Sequence, residues 1–321
     1  MISLRYHIVS LVAVFLALAL GIVVGSTVLQ EGTVSVLRAT SDQVRAQSDR
    51  NSRENVALKQ EQARLQSFGV TVLPELVQDR LKGRSVVLVD TDKVDSGLRD
   101  GVRKVLEDAG ARIDGQITFA NDRLALGADA DRTAMARLLA VDAGAPEVLR
   151  GELVKKLATR LATSTALPQE DSQRPSDMLT GLQDADFLAD LKLSRPLAAG
   201  TDPFPRQGSL FVLLGPSATA TTALAPDDFL VPLADQVSDQ TSGPVAGGEA
   251  AAVPRETSWI VALRDNRAAS RRVSGIDSVD TVYGQLALVR ALQGSLQQLP
   301  AGQYGIKAGA SGLLPEPADG S

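Results

Sequence analysis

The sequence predicts an α/β fold carried on an N-terminal transmembrane helix and a coiled-coil stalk. Three observations predict it. A charge-free apolar run extends from Ile8 to Leu29, a polar stretch from Thr33 to Phe68 contains neither Gly nor Pro, and short aliphatic runs then alternate with amphipathic ones. The boundaries that follow are a cytoplasmic N-terminus over 1–7, a membrane helix over 8–29, a stalk over 30–68, an exported α/β domain over 69–300 and a disordered tail over 301–321.

The apolar run IVSLVAVFLALALGIVVGSTVL holds 22 residues, which at about 1.5 Å per residue cross a hydrocarbon core of roughly 30 Å. A cleaved signal peptide is the competing reading, because Ala17 and Ala19 form an A-x-A pair. Hydrophobicity nevertheless continues through Val28, past the ~7–15 apolar residues of a signal peptide. Arg5 and the α-amino group lie on the short side, which the positive-inside bias keeps cytoplasmic, so everything after Gln30 is expected beyond the membrane. Ala17, Gly21 and Gly25 recur every four residues and make a smooth stripe along which a second helix can approach.

In the stalk, Val34 at a and Leu37 at d set a seam of Val34, Leu37, Ser41, Val44, Ser48, Asn51, Asn55, Leu58, Gln62 and Leu65, with no charged member. Glu54 at g then faces Lys59 at e of a parallel partner, and Asn51 and Asn55 fix register at a cost in stability. The expectation is a homodimer through the membrane helix and the stalk. The competing reading is a lone solvated helix.

Gly69 and Pro74 are expected to end that helix. RSVVLVD (Arg84 to Asp90) reads as a buried strand, Ser96 to Asp108 as an amphipathic helix stopped by Gly110, and Ala111 to Phe119 as a second strand. Further strands are expected at Ser209–Leu214 and Ser258–Leu263. Further helices are expected at Arg132–Val141, Pro146–Thr163, Ser176–Leu191 with a break, and Thr281–Leu299. Strands alternating with helices imply a sheet covered on both faces. Asp202–Gln207 and Ser238–Glu256 read as loops, and Ala308–Ser321 as a disordered tail.

Composition narrows the chemistry. A net charge of −5 argues against nucleic-acid binding. The chain has no Cys and one His, His7, which removes thiolate nucleophiles, Cys/His metal sites and imidazole bases. No cofactor and no catalytic or metal-ligating residue is expected, and membrane lipid is an expected partner.

Four motifs invite chemistry. Asp90 and Asp92 follow the first strand in a D-x-D spacing resembling haloacid-dehalogenase phosphatases, but Lys93 and Val94 stand where further motif residues are needed, and helix-capping carboxylates are the plainer account. Gly215, Pro216 and Ser217 follow another strand yet lack a phosphate-loop glycine pattern, so they read as a turn. Arg264, Arg267, Arg271 and Arg272 form a basic cluster that could meet an anionic polymer or an acidic partner, or simply face solvent. Met135 and Met178, far apart in sequence, are the body's only soft copper donors.

Both ends of the chain carry a family resemblance. MISLRYHIVSLVAVFLALALGIVVGS, SGIDSVDTVYGQLALVRALQ and GQYGIKAGASGLLP resemble the actinobacterial MctB family of copper transport proteins. That resemblance implies an envelope protein of copper efflux or resistance. A corynebacterial branch, SteB, is similar in the same elements, and implies a role in cell separation with a membrane partner, SteA, and influence over a peptidoglycan hydrolase. No catalytic motif carries over from either. An outer-membrane barrel fits poorly, since 3 % aromatics cannot furnish aromatic girdles, and one helix lines a pore only if several copies assemble.

Overall fold

The computed structural model describes residues 4–162, 177–195, 209–241 and 243–316, apart from the side chains of 4–5, 26–39 and 226. The chain divides into two units, Met1–Leu65 and Gln66–Ser321.

The first unit is helical at every described residue. Helix α1 runs from Leu4 to Val77, 74 residues, so its last turns belong to the second unit. Within it Tyr6–Gly25 is an apolar span of mean hydropathy 2.9 with no residue buried, long enough to cross a membrane. Among the described residues of its polar part, the i,i+3 ion pairs Asp42–Arg45 and Glu61–Arg64 are each worth little in water.

The second unit is a seven-stranded sheet in the order β3-β2-β1-β4-β5-β6-β7. In chain order, β1 (Ser85–Thr91), α2 (Ser96–Asp108), β2 (Arg112–Phe119), α3 (Asn121–Leu124), α4 (Asp129–Leu139), α5 (Pro146–Ala162), α6 (Met178–Asp184) and β3 (Leu188–Leu193) build one half. β4 (Leu210–Leu214), α7 (Leu230–Gln240), β5 (Val245–Gly248), α8 (Trp259–Asp265), β6 (Val273–Ile276), α9 (Val282–Leu296) and β7 (Gln303–Tyr304) build the other. All pairings are parallel except β2 with β3.

Every residue of β1 is buried, and alternate side chains enter different cores. Val87 and Val89 join Met135, Leu153, Leu157 and Leu233 from α4, α5 and α7. Val86 and Leu88 join Val102 and Leu106 of α2 and Leu288 and Val289 of α9. The sheet is therefore covered on both faces, as the alternation of elements predicts.

Several boundaries differ from expectation. Gly69 and Pro74 do not end α1. Gly69 lies against Val282, at 3.0 Å from where a Cβ would sit, and Leu73 and Val77 are buried in the α2–α9 core, so packing outweighs the hydrogen bond Pro74 cannot make. Ser258–Leu263 is not a strand. Ser258 caps α8 by accepting from the Val261 N–H at 3.1 Å, and a short apolar run does not itself distinguish strand from helix. The expected helix over Ser176–Leu191 is a seven-residue helix capped by Asp177 and then β3. Asp186, at φ 57°, turns the chain between them, and Ser176 itself lies outside the described residues.

The expected loop Ser238–Glu256 holds the end of α7 and a buried strand, β5. Its Gly247 and Gly248 leave room for Trp259 and Val279, whose atoms stand 2.3 and 3.0 Å from the would-be Cβ positions. The tail expected over 301–321 is corrected as far as residue 312. Gln303–Tyr304 is the edge strand β7 and Gly312 bridges Tyr304. Asp202–Gln207 lies outside the described residues.

Candidate functional site

From β1 the chain crosses to β2 on one side, and it later returns to place β4 on the other. At such a reversal the connections leave in opposite directions and open a crevice beyond the carboxyl ends of the strands. The crevice here has a volume of about 320 Å³ and is lined by Thr91 at the end of β1, Asn121 opening α3, Pro216 after β4, Leu224, Glu256 and Trp259 opening α8.

Trp259 shapes its floor. The buried indole donates from Nε1 to the Gly248 carbonyl at 3.1 Å, and a Cβ on residue 215 would stand 2.0 Å from Trp259 Cδ1. Gly215-Pro216-Ser217 is thus a turn whose glycine makes room for an aromatic ring, and a phosphate cradle is not what that glycine serves.

Asp90 and Asp92 meet different surroundings. Asp90 is fully buried, with Arg99 Nε 2.5 Å from its carboxylate. Burial pushes its pKa above the ordinary carboxylate value, against the opposing pull of Thr118 and Arg99. Asp92 is exposed and accepts from the Asn121 N–H at 3.0 Å. It meets the first N–H of α3 from outside that helix, whose N-cap is Ala120, while Asp95 caps α2 through the Leu98 N–H at 3.1 Å. The capping of the following helix expected of Asp90 and Asp92 is corrected: Asp95 caps α2, Asp90 pairs with Arg99, and Asp92 meets α3.

The four arginines separate. Arg264 has a side chain only 4 % exposed and pairs with fully buried Asp277 at 2.8 Å. Arg272 pairs with Asp235 and Asp239, each at 2.6 Å, and Arg267 and Arg271 face solvent. Sequence proximity did not make a common anion site.

Arg264 and Asp277 belong to a buried polar lock that sequence reading missed. Asp277, just after β6, also accepts from the Ile306 and Lys307 N–H groups at 2.8 and 2.9 Å. Arg264 donates to the Tyr304 carbonyl at 2.9 Å. Glu249, just after β5, receives Lys307 Nζ at 2.5 Å and the Ser258 hydroxyl. Burial raises the Glu249 pKa, with Lys307 and Ser258 opposing it. Two acids and two bases thus fasten the segment 304–308 to the ends of β5 and β6. The signal was present as two motifs, SGIDSVDTVYG and GQYGIKAG, whose pairing only the sheet reveals.

Of the residues expected to pair copies, Ala17, Gly21 and Gly25 lie along the apolar span, and nothing stands within 4 Å of a Cβ built on either glycine. Val44, Leu58 and Leu65 are 62 %, 62 % and 63 % exposed. Asn55, Glu54 and Lys59 are exposed too, and Asn51 accepts from Gln47 one turn back at 3.1 Å. The side chains of Val34 and Leu37 lie outside those described. Met135 is buried and Met178 packs at the edge of the same apolar core, so both thioethers fill space. Among the described residues, no group of three or more His, Cys, Asp or Glu is placed to hold a metal ion.

Comparison with known proteins adds a family. Residues 1–315 match the family model described as copper transport outer membrane protein, MctB. The sequence is 24 % identical to copper transporter MctB of Mycobacterium tuberculosis (strain ATCC 25618 / H37Rv), over 97 % of this chain and 98 % of that protein. It is 26 % identical to copper transporter MctB of Mycobacterium leprae (strain TN), over 98 % of this chain and 99 % of that protein.

Proposed function

The chain belongs to the MctB family, and on that premise we propose that it serves copper homeostasis as a non-catalytic, membrane-anchored envelope protein, paired through its long helix. The observation that carries this reading is α1: one helix, Leu4–Val77, contains an apolar span, uncharged seam positions that are exposed from Ser41 to Leu65, and the buried residues Leu73 and Val77. Arg5 before the span supports an N-terminus in the cytoplasm and a body outside it.

Copper coordination favours thiolate, thioether or imidazole ligands. With no Cys, one His and three Met in the whole chain, and Met135 and Met178 committed to an apolar core, the body is poorly equipped to bind copper tightly itself. The role we assign is organisation: anchoring, pairing and presenting a surface to the component that moves the ion.

A second reading rests on the exposed apolar residues Val44, Leu58 and Leu65. In it the stalk takes a partner helix in the manner of SteB, with a SteA-type membrane protein, and governs a peptidoglycan hydrolase in cell separation.

A deletion strain tests the choice. Lowered copper tolerance with normal septation is expected. Complementation should succeed both with the native gene and with the Met135→Leu, Met178→Leu double variant, since these swaps nearly conserve core volume. Chained cells with unchanged copper tolerance would shift the assignment to cell separation. Failure of the double variant, with the protein present at normal level, would return copper binding to the body.

A further inference from the structure

We infer that the crevice between β1 and β4 is a binding site for a small primary ammonium ligand with an apolar body. The site lies where open α/β sheets place their ligands, and about 320 Å³ suits a small molecule. Its chemistry follows from what the lining groups still have to offer.

The hydroxyl protons are largely spent inside the protein. Thr222 donates to the Leu224 carbonyl at 3.2 Å and Thr257 to the Pro254 carbonyl at 3.4 Å. Each hydroxyl therefore presents lone pairs. Glu256, exposed, adds a carboxylate, and among the described residues no Lys, Arg or His lines the crevice. Three nearby cations are engaged elsewhere: Lys93 with Asp122 at 2.9 Å, Arg99 with Asp90 and Arg150 with Asp228 at 3.3 Å. Asn121 also lines the crevice, its oxygen accepting from the Ala223 N–H at 3.2 Å, so it is one donor-bearing amide among three hydroxyls and a carboxylate. The apolar surface includes Pro216, Leu224, Phe229, Leu230 and Trp259.

A wall rich in acceptors and carrying negative charge fits a cation with several N–H donors, which an ammonium group has. It disfavours phosphates and carboxylates. The α2 N-terminus, where dinucleotide folds hold pyrophosphate, is already capped by the Asp95 carboxylate, which closes the anionic alternative at that point.

The chain reports on its own site, because Trp259 is its single tryptophan and lines the crevice. The experiment titrates the full-length protein in nonionic detergent at pH 7 with hexylamine, hexanoate and hexanol, following tryptophan emission. Hexylamine is expected to give a saturable change, stronger than either analogue. Glu256→Gln should weaken it about two- to five-fold, the scale of one exposed charge pair, and Ala223→Leu should abolish it by filling the crevice. Hexanoate or hexanol matching hexylamine would overturn the assignment. So would no saturable change with hexylamine, or a response that both substitutions leave intact.

Discussion

Asp277→Ala is expected to destabilise the α/β unit by about 3–5 kcal/mol, the cost of breaking a buried ion pair by removing one partner. Asp277 is fully buried and Arg264 nearly so, their contact being 2.8 Å. Without the carboxylate, the guanidinium keeps only carbonyl acceptors, those of Tyr304, Lys307 and Ala308 at 2.9, 3.4 and 3.2 Å. The Ile306 and Lys307 N–H groups lose their acceptor as well. Urea unfolding of the full chain in detergent, read by Trp259 emission, gives the loss directly. Hydrogen exchange should quicken first over 304–312. A loss under about 1 kcal/mol, the scale of an exposed pair, would contradict the lock.

Gly284→Ala is expected to cost about 1–3 kcal/mol, although Ala normally stabilises a helix by about 1 kcal/mol over Gly. Gly284 sits in the first turn of α9, its N–H on the Thr281 hydroxyl at 3.2 Å. A Cβ there would stand 1.9 Å from the Ser278 carbonyl oxygen and 2.4 Å from its carbon. Those are backbone atoms, so no rotamer change relieves the clash, and α9 must shift away from β5 and β6. Thermal unfolding by circular dichroism decides the sign. An unchanged or raised midpoint would show that α9 does not approach the loop this closely.

Both substitutions fall within the motif SGIDSVDTVYG, and their effects explain why that motif accompanies GQYGIKAG. Asp277 in the first binds the backbone of Ile306 and Lys307 in the second, while Gly305, at φ +130°, has its would-be Cβ 1.9 Å from Asp277 Oδ1. The resemblance at the C-terminus thus records a fastening of the sheet edge.

What could be read from the sequence depended on how local the signal was. The apolar span, β1, α2, β2, α5 and α9 carry their periodicity and caps within themselves, and the α/β class followed from their alternation. β5 (VAGG) and β6 (VSGI) are glycine-containing strands of low intrinsic propensity, buried because Trp259, Ile260 and Val279 pack on them, a reason that lies elsewhere in the chain. The crevice was half legible. Pro216 is legible as part of a turn at a strand end, but Glu256 and Thr222 reach the same opening only through the strand order. Arg264 and Arg272 looked alike in sequence and differ in burial because one follows the inner face of α8 while the other meets α7.

The paired helix is the claim on which the proposed role rests, and cysteine crosslinking in native membranes tests it most directly, since the chain has no cysteine of its own. Val44→Cys and Leu58→Cys place a thiol on the seam and Gln60→Cys places one on the outward face. The account predicts a covalent dimer from the first two on adding a short bismaleimide, and monomer from the third. Monomer at all three positions, or equal crosslinking at residue 60, would contradict it.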